Sequence, residues 1–264
     1  MKHGARGSPV APASRRRPIG DRNLDFLPRR RPKPGTPGSA TSSSSGMRVL
    51  FLGSSLTYAN DMPYIVQALA RAAGEALQVT VIAQGGASLE EHWNHGGTMR
   101  KVRDGGWNVV VLQQGPSSTP ENRRNLREMT QRFAEPIGKA GARPALYMVW
   151  PSADRLAYFD DVRDSYALAA EDVGGMLMPA GEAWRAVWQR DPQAPLFKRD
   201  GVHPSPAGSF AAALSIFGIL YGRSPVGLPA RVRLNNGAWA QTPPALATLL
   251  QEGAAEANER FGRR

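Results

Sequence analysis

The sequence predicts an α/β fold, a three-layer α/β/α sandwich around a parallel five-stranded sheet. Two observations carry this expectation. Short continuous apolar runs, of the kind that form strands covered on both faces, recur along the chain. Each is followed by a segment with helical spacing, and the alternation repeats about five times, as in βαβ units joined by right-handed crossovers. A third observation sets the extent of that fold: residues 1–46 differ in composition from everything after them.

Taken in order, "RVLFLG" (48–53) reads as the first buried strand, broken off by Gly-Ser-Ser. Residues 63–77 have helical spacing with a proline at the start. Asn60 and Asp61 are placed as the caps of that helix. "QVTVIA" (78–83) and "NVVVLQQ" (108–114) are the next two strands. Residues 121–141 are mainly helix, which Pro136 is expected to end or kink. "RPALYMVWP" (143–151) is a strand closed by proline, and 155–175 is a helix ending in glycine. Residues 176–190 read as a short strand, a turn and a helix. Residues 204–222 read as a long apolar helix, 223–242 as irregular, and 243–261 as a final amphipathic helix. No internal repeat is present.

Composition excludes several classes. The 264 residues contain no cysteine, so disulfides, a thiol nucleophile and zinc–thiolate sites are ruled out. No apolar stretch approaches the ~18 residues of a membrane span. The N-terminus lacks the apolar core of a secretory signal, so a cytoplasmic location is expected. The net charge of +11 invites a nucleic-acid reading. Residues 1–46, however, hold ten Lys or Arg against two Asp or Glu, which accounts for +8 and leaves +3 for the rest. That segment is rich in Pro, Arg, Ser and Gly and buries too little to offset its ordering entropy, so it is expected to be a disordered basic tail. A solvated extension is preferred over a nucleic-acid arm. The folded domain is expected to span 47–264.

In a parallel sheet of this type the site lies beyond the carboxyl ends of the strands. Gly53, Ser54, Ser55, Leu56 and Thr57 follow the first strand; Gly85, Gly86, Ala87 and Ser88 follow the second; Gln113, Gln114 and Gly115 follow the third; Trp150 and Pro151 follow the fourth. "RDGVHPSPAG" comes later, with Asp200 and His203 three residues apart. A serine, Gly-rich turns, an amide and an Asp–His pair are what acyl transfer to serine requires. His203 is the expected base, and Asp200 its anionic partner. The N–H groups of Ser55 and Gly86 and one Gln amide form the expected oxyanion hole. Ser54 and Thr57 are read as cap or turn residues.

These blocks resemble the SGNH (GDSL-type) esterase and lipase superfamily over roughly residues 47–222. "FLGSSLTYAND" matches its Gly-x-Ser-x-Thr block with Ser55 in the nucleophile slot, "QGGASL" resembles the second block with Gly86 as the donor glycine, and "DGVHP" matches Asp-x-x-His. "MPAGEAWR" is also similar to the group. The family's third block, Gly-x-Asn-Asp, is replaced here by "LQQGPSS". Gln113 shares the strand parity of the missing Asn and is favoured over Gln114 as the third donor.

The resemblance implies a flavodoxin-like sandwich and a serine esterase without metal or cofactor. It acts on a small-molecule or carbohydrate ester, and the changed third block points toward the carbohydrate-deacetylating branch. Gln114 and Trp150 are the expected substrate contacts, with Trp93 a further candidate wall. The alternative is a non-catalytic module of the same fold that binds a glycan or acyl group. His92 and His95 in "EEHWNHGG" have metal-compatible spacing, but a pocket wall or helix cap is the preferred role.

Overall fold

The computed structural model describes residues 46–264. The expected basic tail falls, up to residue 45, outside the described residues. β1 (Met47–Gly53) leads into a helical turn, α1 (Ser55–Tyr58), a 3-10 turn (Ala59–Asp61) and α2 (Met62–Ala72). β2 (Leu77–Ala83) is followed by α3 (Leu89–Asn94) and α4 (Gly96–Arg103), and β3 (Val109–Leu112) by α5 (Pro120–Lys139). β4 (Arg143–Tyr147) continues through a 3-10 segment (Ala153–Tyr158) into α6 (Phe159–Asp172). β5 (Met176–Met178), α7 (Ala180–Arg190) and α8 (Pro206–Tyr221) come next. A two-stranded hairpin of β6 (Arg231–Arg233) and β7 (Trp239–Gln241) precedes the last helix, α9 (Pro244–Phe261).

The five main strands form a parallel sheet in the order β2-β1-β3-β4-β5. The chain therefore steps outward from β1 in both directions, so the crevice beyond β1 and β3 is the topological switch point where ligands bind in such sheets. α2, α7, α8 and α9 pack together as one layer, and α3, α4, α5 and α6 as the other. The strands are apolar on both faces because both are covered: Val49, Leu50, Phe51 and Leu52 of β1 and Val110, Val111 and Leu112 of β3 are fully buried. α8 is apolar all round and buried along almost its whole length, packed on α2, α7 and α9. No helix among the described residues is long and apolar enough to cross a membrane.

The structure departs from the sequence reading in four places. α5 runs through Pro136 for one more turn, since a proline near a helix end forfeits a single backbone bond. The segment 155–175 divides into a 3-10 stretch and α6, because Arg155 leaves helical geometry (φ −126°, ψ 22°). α3 and α4, short and flanked by glycines, were not anticipated. Residues 223–242 contain the β6–β7 hairpin.

α7 is tied to α6 by a buried charge. Glu182 is only 3% exposed. It accepts from Arg185 Nη2 at 2.5 Å and Nε at 3.0 Å, and Arg185 also reaches Asp160 at 2.8 Å. Arg163 stands 3.9 Å from the same carboxylate. Replacing Arg185→Met removes the main partner of a desolvated carboxylate. The expected loss is about 2–4 kcal/mol of unfolding free energy, read as a lower urea midpoint with unchanged slope. An unshifted midpoint would mean that Arg163 alone satisfies Glu182.

Candidate active site

The turn after β1 is built around one side chain. Register pairs Leu52 with Leu112, so Gly53 and Ser54 end level with Gln113 at the carboxyl edge. The Gln113 side chain is fully buried. Its Oε1 accepts from Ser54 N (2.7 Å), Ser54 Oγ (3.0 Å) and Thr57 Oγ1 (2.7 Å), while Nε2 donates to Gln114 O. Gly53 permits this approach: a Cβ there would stand 2.2 Å from Thr57 Oγ1 and 2.5 Å from Gln113 Oε1. Ser54 caps α1, its Oγ accepting from Leu56 N at 3.3 Å. Ser55, the first residue of α1, is left half-buried with its hydroxyl facing outward toward His203.

The neighbouring strand ends hold the turn from the sides. Gly53 O accepts from Gln84 N at 3.1 Å and from His92 Nε2 at 2.8 Å. Burial holds the His92 imidazole below its usual pKa, so it stands neutral as the donor to that carbonyl. Tyr147 donates to Leu56 O at 3.3 Å, and burial raises its phenol pKa, keeping it protonated. Gln84 to Ala87 is a tight turn closed by Ala87 N to Gln84 O at 3.0 Å. Gly86 takes φ +73° there, a conformation that a side chain would strain. Among the described residues the N–H groups of Ser55 and Gly86 have no acceptor.

His203 arrives from the loop before α8. Its Nε2 lies 3.0 Å from Ser55 Oγ, across 148 positions of sequence, and its Nδ1 lies 2.8 Å from Asp200 Oδ2. A carboxylate only accepts, so Nδ1 carries the proton and Nε2 is free to accept from the serine hydroxyl. Asp200 Oδ1 accepts from Val202 N and His203 N, both at 2.9 Å. Those two backbone bonds, with the His203 ring, pull the Asp200 carboxyl down to about 2. The loop is tightened by Lys198 N to His203 O (2.8 Å) and Gly201 N to Lys198 O (3.1 Å).

The structure thus brings Ser55, His203 and Asp200 together and sets Gly86 on the adjoining strand end. It does not bring Gln113 to the oxyanion position: the amide is enclosed and spent on the turn, the correction this fold makes to the sequence reading. Gln114 is likewise occupied, accepting from Leu89 N (3.2 Å) and donating to Ser117 Oγ (3.0 Å). Trp150 is 1% exposed, stacked on Trp184 at 3.5 Å, with its indole N–H on Val202 O at 3.2 Å. It therefore backs the loop beside His203. Trp93 packs edge-on against Phe133 at 5.3 Å and lines a depression with Pro136 and Lys139, away from Ser55. His95 caps α4, its Nδ1 accepting from Thr98 N at 3.3 Å.

Asn60 carries a role that its sequence position conceals. It and Asp61 both adopt left-handed backbone, φ +53° and +57°, and Asp61 makes no side-chain cap to α2. The Asn60 amide instead donates to Pro204 O (2.9 Å) and Ser209 Oγ (2.8 Å). It ties the turn after Ser55 to the residue after His203. The available signal was the Asn-Asp pair itself, since these residues tolerate that backbone best.

A cavity of about 310 Å³ opens between the loops after β3 and β4, reaching Leu56 and Val202, the chain neighbours of Ser55 and His203. Leu56, Trp150 and Val202 border it, with Ser118, Asn122 and Arg155 among its polar lining. The depression at Trp93 is larger, about 420 Å³, but none of its lining residues adjoins Ser55 or His203.

No family profile matches the chain, and no curated protein does. Solved structures match. A protein from Slackia heliotrinireducens assigned to the SGNH hydrolases is 31% identical with a TM-score of 0.55, over 65% of this chain and 97% of its own. A DUF4886 family protein from Bacteroides uniformis is 20% identical with a TM-score of 0.63, over 81% and 95%. A variant of an acetyl-xylooligosaccharide esterase from Geobacillus Stearmophilus is 16% identical with a TM-score of 0.51, over 65% and 93%. The last two are likenesses of fold.

Gln113→Leu leaves three donors without their buried acceptor. The expected cost is about 2–4 kcal/mol of unfolding free energy. A stability equal to the parent's would show that the turn holds without the amide.

Proposed function

The chain belongs to the SGNH/GDSL-type hydrolases, sharing 31% identity with a member over nearly all of that member's length, and we propose that it is a serine esterase cleaving carboxylic esters through an acyl-enzyme on Ser55. One observation supports this reading above the others: Ser55 Oγ stands 3.0 Å from His203 Nε2 while Asp200 holds the opposite ring nitrogen at 2.8 Å. A serine hydroxyl is a poor nucleophile until a base takes its proton, and this arrangement supplies the base in the correct tautomer.

Ser55 Oγ attacks the ester carbonyl as its proton passes to His203 Nε2. The carbonyl oxygen becomes an oxyanion facing the Ser55 and Gly86 N–H groups, which have no partner of their own among the described residues. The C–O bond to the alcohol then breaks, and His203 returns the proton to the departing oxygen. Water repeats the sequence on the acyl-enzyme, releasing the acid. Asp200 holds the imidazole and stabilises its charged form throughout. With Gln113 withdrawn, two backbone donors serve the oxyanion where three were expected. The withdrawn amide is also what favours the second reading, a module that binds a glycan or acyl group without turnover.

The cavity is small and mostly apolar, walled by Leu56, Pro116, Pro151 and Val202 with Ser118 and Asn122 among them, which suits a short acyl group on a partly polar substrate. The reading is therefore a short acyl ester, an O-acetyl group on a carbohydrate being the class it fits.

Hydrolysis of p-nitrophenyl acetate by the parent should be lost in Ser55→Ala and His203→Ala, with kcat/KM down by about 10³-fold or more. Equal rates in all three proteins would favour the binding module. Asp200→Asn should lower kcat by about 10²–10⁴-fold. Because Asp200 stays ionised down to about pH 2, its contribution to stability is present above the ordinary carboxylate range and lost only as the pH falls toward that value. The acid limb of the pH–rate profile should accordingly persist in Asp200→Asn. A limb that disappeared in that variant would assign it to Asp200 and contradict the depressed carboxyl.

A further inference from the structure

Arg155 lines the cavity beside the histidine loop. Arg155 lies in the segment after β4, and its N–H closes a turn onto Ser152 O at 2.8 Å. Its guanidinium carbon stands 4.5 Å over the Tyr158 ring, which gives the head a fixed seat. Among the described residues it forms no ion pair. Its sequence neighbour Asp154 accepts from Ser152 Oγ at 2.6 Å and interacts with Arg155 only through charge. Arg155 lines the cavity that Leu56 and Val202, the neighbours of Ser55 and His203, also line.

The segment is anchored to the histidine loop: Ala153 N donates to Gly201 O at 2.8 Å. The backbone two residues before Arg155 is thus fixed to the histidine loop. Across the same cavity, Ser118 and Asn122 present side-chain donors that no acceptor takes up among the described residues. Lys198 and Arg199, exposed on the histidine loop and without ion pairs among the described residues, add positive charge to that loop. A guanidinium, a hydroxyl and an amide converging on a cavity are the donors that a carboxylate recruits.

We propose that the ester substrate carries a carboxylate, seated in this cavity against Arg155, and that Arg155 sets the preference for acidic esters. The proposal rests on the esterase reading of Ser55. The carboxylate can belong to the acyl group or to the alcohol, and the two sources are separable by choice of ester.

The test compares kcat/KM for three esters, each divided by its uncatalysed hydrolysis rate. They are p-nitrophenyl acetate, p-nitrophenyl hydrogen glutarate, and a p-nitrophenyl acetate bearing a ring carboxylate meta to the ester oxygen. One acidic ester should exceed the neutral one by about 10- to 100-fold, and the advantage should shrink with added salt. In Arg155→Gln the ratio should fall to near one. Arg143→Gln, at the opposite end of β4, should keep the parent ratio. No preference for either acidic ester, or a preference that survives Arg155→Gln, overturns the proposal.

Hydrolysis of none of the three esters would contradict the esterase reading instead. The anion site is then decided by glutarate binding, followed by NMR titration of the parent and of Arg155→Gln. Binding seen only in the parent upholds it, and binding that is absent or equal in both refutes it.

Discussion

The hydrogen bond between Ser55 and His203 is the interaction on which the architecture of this edge converges. It joins groups 148 positions apart, and neither is held by its own element alone. Ser55 is aimed by a turn whose donors end on Gln113, whose carbonyl is taken by His92, and whose far end is met by Tyr147. His203 is aimed by a loop folded on Asp200 and backed by the indole of Trp150. Asn60 then links the two halves directly through Pro204 and Ser209. A half-exposed ion pair such as Asp200–His203 contributes little stability by itself. Its value is orientation, and the buried amides and phenols around it supply the rigidity.

Much of this edge was legible because the signals are local. An apolar run that stops at Gly-Ser-Ser announces a buried strand and a tight turn. Asp-x-x-His places two side chains at a spacing that one loop can close. Strand alternation then brings these pieces to a common edge without any knowledge of side-chain contacts. The sheet order β2-β1-β3-β4-β5 is given by the structure and not by the sequence, since right-handed crossovers fix the face each helix covers rather than the order of the strands.

What the sequence concealed was the destination of polar side chains once they are buried. Gln113 has the parity of an oxyanion donor, but burial obliges it to satisfy its neighbours first, and three donors of the turn were already in need of an acceptor. Trp150 stands at a strand end, and its stacking on Trp184 buries nearly all of it, so that it backs the histidine loop while bordering the cavity. Asn60 looks like a helix cap by its position before α2. Its left-handed backbone turns the amide toward the histidine loop, a contact with a chain segment that periodicity cannot foresee. Arg155 carries no motif at all, and its place beside the cavity emerges only from the packing of two loops.

The central claim is that the Ser55 hydroxyl is made nucleophilic by His203. Mass-spectrometric mapping of a fluorophosphonate adduct measures this directly, because the reagent marks only an activated serine. The account predicts a single adduct on Ser55 in the parent and none in His203→Ala. An adduct on another serine, or labelling of Ser55 that is indifferent to the loss of His203, would contradict it.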